Sequence, residues 1–304
     1  MTNRQPTYLP VLQALLVTFL WSTSFIIIKW GLAEIPPLTF AGLRYTIAFL
    51  ALLPLMLTPK YRAVLKRLTV SDWVRLGWLG ILFYSLTQGT MFIGLSLLPS
   101  VTVSLILNFT PVIVVFMGLY FIQEKPTRLQ WLGTILFLSG VLVYFFPLEF
   151  QRNEWVGMGV MIVGVLVNAG SSVLGRAINR SGNIPALVVT VVSMGMGAAL
   201  LLLVGLAKDG VPTMSLRNGL FLLWMALVNT AFAFTLWNVT LRSLSAMQSS
   251  IINGTMLIQI TLLAWIFLGE TISLKGVAGL ILAAAGAVLA QLTINRAPRT
   301  TSIR

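Results

Sequence analysis

The sequence contains no cysteine and no histidine, and only 9% of its 304 residues are charged. Without cysteine there is no disulfide, thiolate nucleophile or sulfur ligand. Without histidine there is no imidazole ligand or proton relay near neutral pH. Acids are especially scarce, with 7 Asp and Glu against 20 Lys and Arg, for a formal charge of +13. A soluble domain carries about 25% charged residues to solvate its surface, so most of this chain's surface has to face something other than water. The excess of cations does not indicate nucleic acid, because the basic residues are scattered at the ends of apolar runs rather than gathered on one face.

Hydrophobic residues make up 58% of the chain and its mean hydropathy is +0.94. A bilayer core about 30 Å thick needs about 20 apolar residues per spanning helix. Outer-membrane strands instead alternate apolar and polar residues over about 10 positions. The runs here are continuous and of the longer kind, which predicts an all-α polytopic membrane protein with ten transmembrane helices: 10–31, 37–57, 73–97, 100–122, 128–146, 155–178, 184–206, 217–240, 244–267 and 274–294. Pro36-Pro37, Pro59, Pro99, Pro126, Pro147, Gly182, Gly210 and Gly269 punctuate them. Residues 58–72 read as the one sizeable loop, and Met1–Pro10 shows no cleavable signal pattern. That loop holds Lys60, Arg62, Lys66 and Arg67, and placing it in the cytoplasm puts most Lys and Arg inside, with both termini cytoplasmic.

The halves 1–150 and 151–304 match when the chain is slid along itself. Phe121 meets Phe267, Glu124 meets Glu270, Gly133 meets Gly279 and Gly140 meets Gly286. An odd number of spans per half predicts two inverted five-helix repeats, an architecture that places substrate near mid-membrane where the halves meet. The glycines themselves, with Ala283 and Ala290, read as helix-packing positions.

Polar residues at the centres of the spans suggest where such a site lies. Trp21, Tyr84, Gln88, Asn108, Asn168, Asn229, Trp237 and Asn253 fall near the middle or inner part of six spans. An unpaired amide in hydrocarbon costs several kcal/mol, roughly 2–7 on transfer scales, so each must face protein or water. The simpler reading is interhelical hydrogen bonding, worth about 0.6 kcal/mol per bond; a shared depth favours a polar cavity lined with rings. Trp30, Trp73, Trp78, Trp131, Trp155 and Trp265 sit nearer span ends and read as interfacial anchors. Arg44 lies about 10 Å into its span. Its depth suits snorkelling outward or pairing with Glu34, and the other reading is a ligand for a substrate carboxylate.

Several residues also resemble a known family. They are Leu20-Trp21-Ser22-Thr23-Ser24-Phe25 followed by Lys29, Ala41-Gly42-Leu43-Arg44-Tyr45, and Asn108-Phe109-Thr110-Pro111 ending in Glu124. The chain resembles the EamA-type proteins of the drug/metabolite transporter superfamily, across nearly its whole length. The resemblance implies ten helices in two repeats in a bacterial inner membrane. Comparison with YddG-type aromatic amino-acid exporters implies export of amino acids, aromatic or otherwise neutral, with no cofactor. Asn253-Gly254-Thr255-Met256 lacks a counterpart of Pro111, so a kink there would not recur in the second half. A channel-like facilitator or an exporter of other metabolites or drugs is the alternative. A membrane-embedded enzyme is disfavoured, because every acid lies at a span end or in a loop. The same distribution predicts movement driven by the solute gradient alone.

The orientation is testable in this cysteine-free chain. Single cysteines at Arg62 and Lys208 should label from opposite sides of sealed vesicles; labelling of both from one side overturns the inverted arrangement.

Overall fold

The computed structural model describes residues 8–110, 112–114, 117, 127–146, 151–180, 184–240 and 252–291, and these are helices joined by short turns, with no strand among them. Prolines open several helices, because a first-turn residue has no intrahelical use for its N–H. The first helix, α1 (Tyr8–Gly31), carries Pro10 in its first turn, and α2 (Pro37–Met56) and α3 (Pro59–Leu65) each begin at proline. The segment read as a loop at 58–72 is therefore partly helical. It ends in a capping box, in which Thr69 Oγ1 accepts from Asp72 N at 3.2 Å while the Asp72 carboxylate accepts from Thr69 N at 2.9 Å.

That box starts α4, which runs from Val70 to Leu97 and contains a π-helical stretch at Gly80–Thr87. Then follow α5 (Ser100–Leu107), α6 (Arg128–Phe145), α7 (Arg152–Arg180) and α8 (Ala186–Asp209). The next helix, α9, starts at Leu216, widens to a π-turn at Leu227–Phe232 and resumes over Ala233–Thr240. Last come α10 (Met256–Leu268) and α11 (Leu274–Gln291). Gly210 and Gly269, at φ 73° and 66°, end α8 and α10 in a backbone region that disfavours side chains. Among the described residues six helices are long and apolar enough to cross a membrane, and four further apolar segments (Ser100–Val114, Trp131–Phe145, Ile252–Leu268 and Leu274–Leu289) are shorter. Pro111 and Glu124 lie outside the described residues.

The tightest seams are made by small residues, since lipid tails give apolar side chains no reason to prefer one another. Along α6 and α11 the backbones nearly touch: a Cβ built on Gly140 would lie 2.6 Å from Gly279 O, and one on Gly286 2.6 Å from Phe137 Cα. The α8 backbone meets α2 in the same way, with Gly42 against Leu202 and Gly205 against Thr39. It also meets the π-stretch of α4, where Gly80 faces Gly197 and the Ser85 hydroxyl donates to Gly197 O at 2.7 Å. Trp30, Trp73, Trp78, Trp131, Trp155 and Trp265 are exposed on the helix surfaces, where anchors belong, whereas Trp21 and Trp237 are half-buried.

Gly286→Ala should lower the unfolding temperature in detergent, because an added methyl in a closed seam costs about 1–3 kcal/mol. Gly159 has nothing within 4 Å of its built Cβ. Gly159→Ala should be neutral or stabilising by about 0.5–1 kcal/mol from helix propensity. Equal melting of the two variants counts against close packing between α6 and α11.

Candidate substrate site

Arg44 projects from α2 toward the π-turn of α9 and the serine-threonine run of α1. It is 3% exposed, so it does not snorkel. Nor does it meet Glu34, which is engaged elsewhere. Its Nε donates to Thr230 Oγ1 at 2.9 Å and its Nη2 to Ser24 Oγ at 3.3 Å, while the guanidinium carbon stands 5.4 Å from the centre of the Tyr45 ring. No carboxylate faces it among the described residues, where the single ion pair is Arg217–Glu34. A buried cation surrounded only by hydroxyls and a ring is expensive in a low-dielectric interior, and such intramembrane charges mark functional sites.

Asn229 completes the polar junction. The π-turn brings it fully into the interior, 0% exposed, where its Nδ2 donates to Leu20 O at 2.7 Å, Ser24 Oγ at 2.8 Å and Thr23 Oγ1 at 3.1 Å. Its Oδ1 is buried without a hydrogen-bond partner, and so is Trp21 Nε1. Native proteins rarely leave such atoms unpaired, so the pair is an acceptor and a donor available to a ligand. Around them runs a chain of rings: Trp21 stands 5.3 Å from Trp237 and 5.1 Å from Phe234, Phe234 lies 6.4 Å from Phe83, and Tyr84 bridges Phe83 at 4.9 Å and Tyr45 at 5.5 Å.

The structure thus brings Trp21, Tyr84, Asn229, Trp237 and Arg44 into one neighbourhood and leaves the other predicted residues apart. Gln88 is buried immediately after the π-stretch. Asn108 donates to Ser104 O of its own helix at 2.9 Å, and Asn168 donates to Thr110 Oγ1 at 3.0 Å, which is a bond between α7 and the chain just beyond α5. Asn253 is exposed. The amide that matters in that region is Gln259, six residues further along. Its Oε1 accepts from the Ser22 hydroxyl at 2.9 Å, and its Nε2 donates to Thr255 Oγ1 at 3.0 Å and Thr18 Oγ1 at 3.3 Å, tying α10 to α1. A lone amide inside the apolar run Met256–Leu268 was the available signal for it. Thr230 gave less warning, because a mid-span threonine normally bonds its own helix.

Two surface hollows lie outside this junction. One, about 530 Å³, is lined by Ile27, Trp30, Phe221, Trp224, Leu227 and Val228, and the other, about 470 Å³, by Lys29, Trp30, Ser96, Pro99, Leu268 and Glu270. Neither is lined by Arg44 or Asn229, although the first borders the π-turn at Leu227 and Val228. At the second hollow the Glu270 carboxylate accepts from Ser100 N at 2.7 Å and Val101 N at 3.2 Å, capping α5. Glu34 caps α9 in the same manner, accepting from Ser215 N at 2.8 Å and the Ser215 hydroxyl at 3.1 Å, with Arg217 at 4.0 Å. Residues that could hold a metal ion do not cluster among those described.

A membrane helix bundle with an enclosed charged junction is the make-up of a solute carrier, and comparison with known proteins gives its family. The model of the EamA-like transporter family matches twice, at residues 9–146 and 150–292. The chain belongs to the EamA-like transporter family. It is 26% identical over 282 residues to a probable amino-acid metabolite efflux pump of Salmonella typhimurium, covering 90% of this chain and 91% of that one. It is 26% identical over 264 residues to an S-adenosylmethionine/S-adenosylhomocysteine transporter of Chlamydia trachomatis, covering 83% of this chain and 80% of the other. A solved crystal structure shares the fold with a TM-score of 0.66 at 19% identity, over 93% of this chain and 96% of that one.

The hydrogen bonds from Ser215, led by its backbone N–H, hold the Glu34 carboxyl below its ordinary value of 4.5. A depressed acid stabilises the fold above the ordinary carboxylate value and loses that contribution as pH falls through its folded value. Acidification below about pH 4.5 should therefore lower the melting temperature of wild-type protein more steeply than that of Glu34→Gln. Parallel acid limbs for the two proteins would remove Glu34 from the account.

Proposed function

We propose that this protein is a secondary transporter that exports amino acids, or metabolites retaining an amino-acid head, across the bacterial inner membrane by alternating access. In this reading ten helices form two inverted repeats, both termini are cytoplasmic, and the substrate sits where the halves meet. The observation that carries it is Arg44, a guanidinium 3% exposed with no carboxylate facing it among the described residues. A substrate carboxylate would supply the missing charge through a bidentate, charge-assisted pair. Asn229 Oδ1, buried and unpartnered, is an acceptor for an α-ammonium group. The faces of Trp21, Phe234 and Trp237 suit a flat or apolar side chain.

The two relatives named by substrate support the same class. S-adenosylmethionine and S-adenosylhomocysteine both carry a free α-amino-acid group beside an aromatic base, and the other relative is named for amino-acid metabolites. One recognition mode, a carboxylate on arginine and a ring against tryptophan, covers both. The lack of an ionisable acid in mid-span favours transport driven by the solute gradient alone.

Counterflow in proteoliposomes against amino acids, S-adenosylmethionine, sugars and purines tests this. Amino-acid-headed solutes should exchange, with saturation and acceleration by substrate on the far side, and collapse of an imposed pH gradient should change the rate little. Arg44→Gln should reduce exchange at least about tenfold, the scale of losing a hydrogen bond to a charged group. Exchange confined to sugars or purines, or undiminished in Arg44→Gln, overturns the reading.

A further inference from the structure

Each of the two central π-turns carries a threonine whose hydroxyl reaches back to a carbonyl of its own helix. Widening a helix displaces its backbone bonding, and a side chain can take up a carbonyl left over. In α4 the Thr87 hydroxyl donates to Leu82 O at 2.9 Å, and in α9 the Thr230 hydroxyl donates to Met225 O at 2.9 Å, each reaching five residues back. The same device therefore occurs once in each segment matched by the family model. The two differ in one respect: Thr230 Oγ1 also accepts from Arg44 Nε at 2.9 Å, whereas the Thr87 hydroxyl serves only the backbone.

The difference has a chemical meaning. A hydroxyl has one proton and two lone pairs. With its proton committed to Met225 O, Thr230 presents a fixed lone pair toward Nε and cannot rotate away without breaking that bond. The guanidinium is thereby held at its Nε edge. Its Nη end is left with the longer 3.3 Å contact to Ser24 Oγ, which already accepts from Asn229 Nδ2 at 2.8 Å. A planar fork with one edge fixed and the other weakly held is prepared for an end-on, two-point carboxylate contact. An ordinary α-helical turn would direct residue 230 elsewhere, so the π-turn is what brings this hydroxyl to Arg44.

We propose that Thr230 is the positioning residue of the carboxylate site, fixing the Arg44 fork through a hydroxyl that the α9 π-turn delivers, and that Thr87 is its purely structural counterpart. This rests on the reading of Arg44 as a carboxylate ligand. Thr230 itself touches no substrate; it acts through arginine.

The test is equilibrium binding of radiolabelled L-phenylalanine to the purified full-length protein, with L-phenylalaninamide as a competitor lacking the carboxylate. Wild-type protein should bind the acid and be displaced poorly by the amide. Thr230→Val should weaken acid binding about tenfold, the cost of one lost bond to a charged group, while Thr230→Ser restores it. Thr87→Val removes the same reach to a carbonyl five residues back and should leave acid binding unchanged. Thr230→Ala, which also lacks the hydroxyl, carries the same expectation if the valine protein is not recovered folded. Equal weakening in Thr230→Val and Thr87→Val, or wild-type affinity in Thr230→Val, overturns the inference and leaves the carboxylate reading standing. Wild-type protein that takes acid and amide alike, or neither, defeats the carboxylate reading and the inference with it.

Discussion

Inside a bilayer no water is available to a backbone group left without a partner, and that constraint shapes this protein from the helix ends to its centre. Helix starts have the related problem of free N–H groups, which makes proline acceptable where α2 and α3 begin and brings Glu270 and Glu34 to the starts of α5 and α9 as acceptors. The bilayer constraint also limits how a helix can widen. The π-turns in α4 and α9 each come with a threonine whose hydroxyl donates to a carbonyl five residues back, so its proton stays within the helix where the bonding is irregular.

The same constraint explains the composition of the centre. Ser24 and Thr23 could have bonded only to their own helix, the usual arrangement for hydroxyls in apolar surroundings. Besides donating to Leu20 O of their own helix, they accept from Asn229 and, in the case of Ser24, from Arg44, so three helices share one set of polar groups. The orphaned Asn229 Oδ1 and Trp21 Nε1 are what remains unsettled, and they lie beside the ring chain and not at the surface.

Much of this was legible in the residues. Apolar run length and proline positions located most helix boundaries, and the spacing of Gly133, Gly140, Gly279 and Gly286 marked packing positions, which the structure places along the seam between α6 and α11. Depth singled out Trp21, Tyr84, Asn229 and Trp237, which the fold draws together. Three things were hidden. A π-turn is one extra residue in a helical period, and nothing in the pattern of Leu227–Phe232 marks that extra residue, so the direction of Thr230 could not be read. Depth along a helix says nothing of azimuth, which is why Asn253 proved exposed while Gln259, six residues on, ties α10 to α1. For Arg44, snorkelling and ligation predict the same depth and differ only in which way the side chain turns, a tertiary fact.

The contact between α4 and α8 has a mechanical consequence. Where Gly80 meets Gly197, main chain lies against main chain with no side chain between them, and Ser85 pins the joint by its bond to Gly197 O. Side chains can change rotamer and let two helices slip; a backbone contact pinned by a hydrogen bond resists sliding. Under the proposed alternating access, such a seam would act as a fulcrum: the two helices would tilt as one body, with the bending in the turns above and below and the least displacement beside Tyr84.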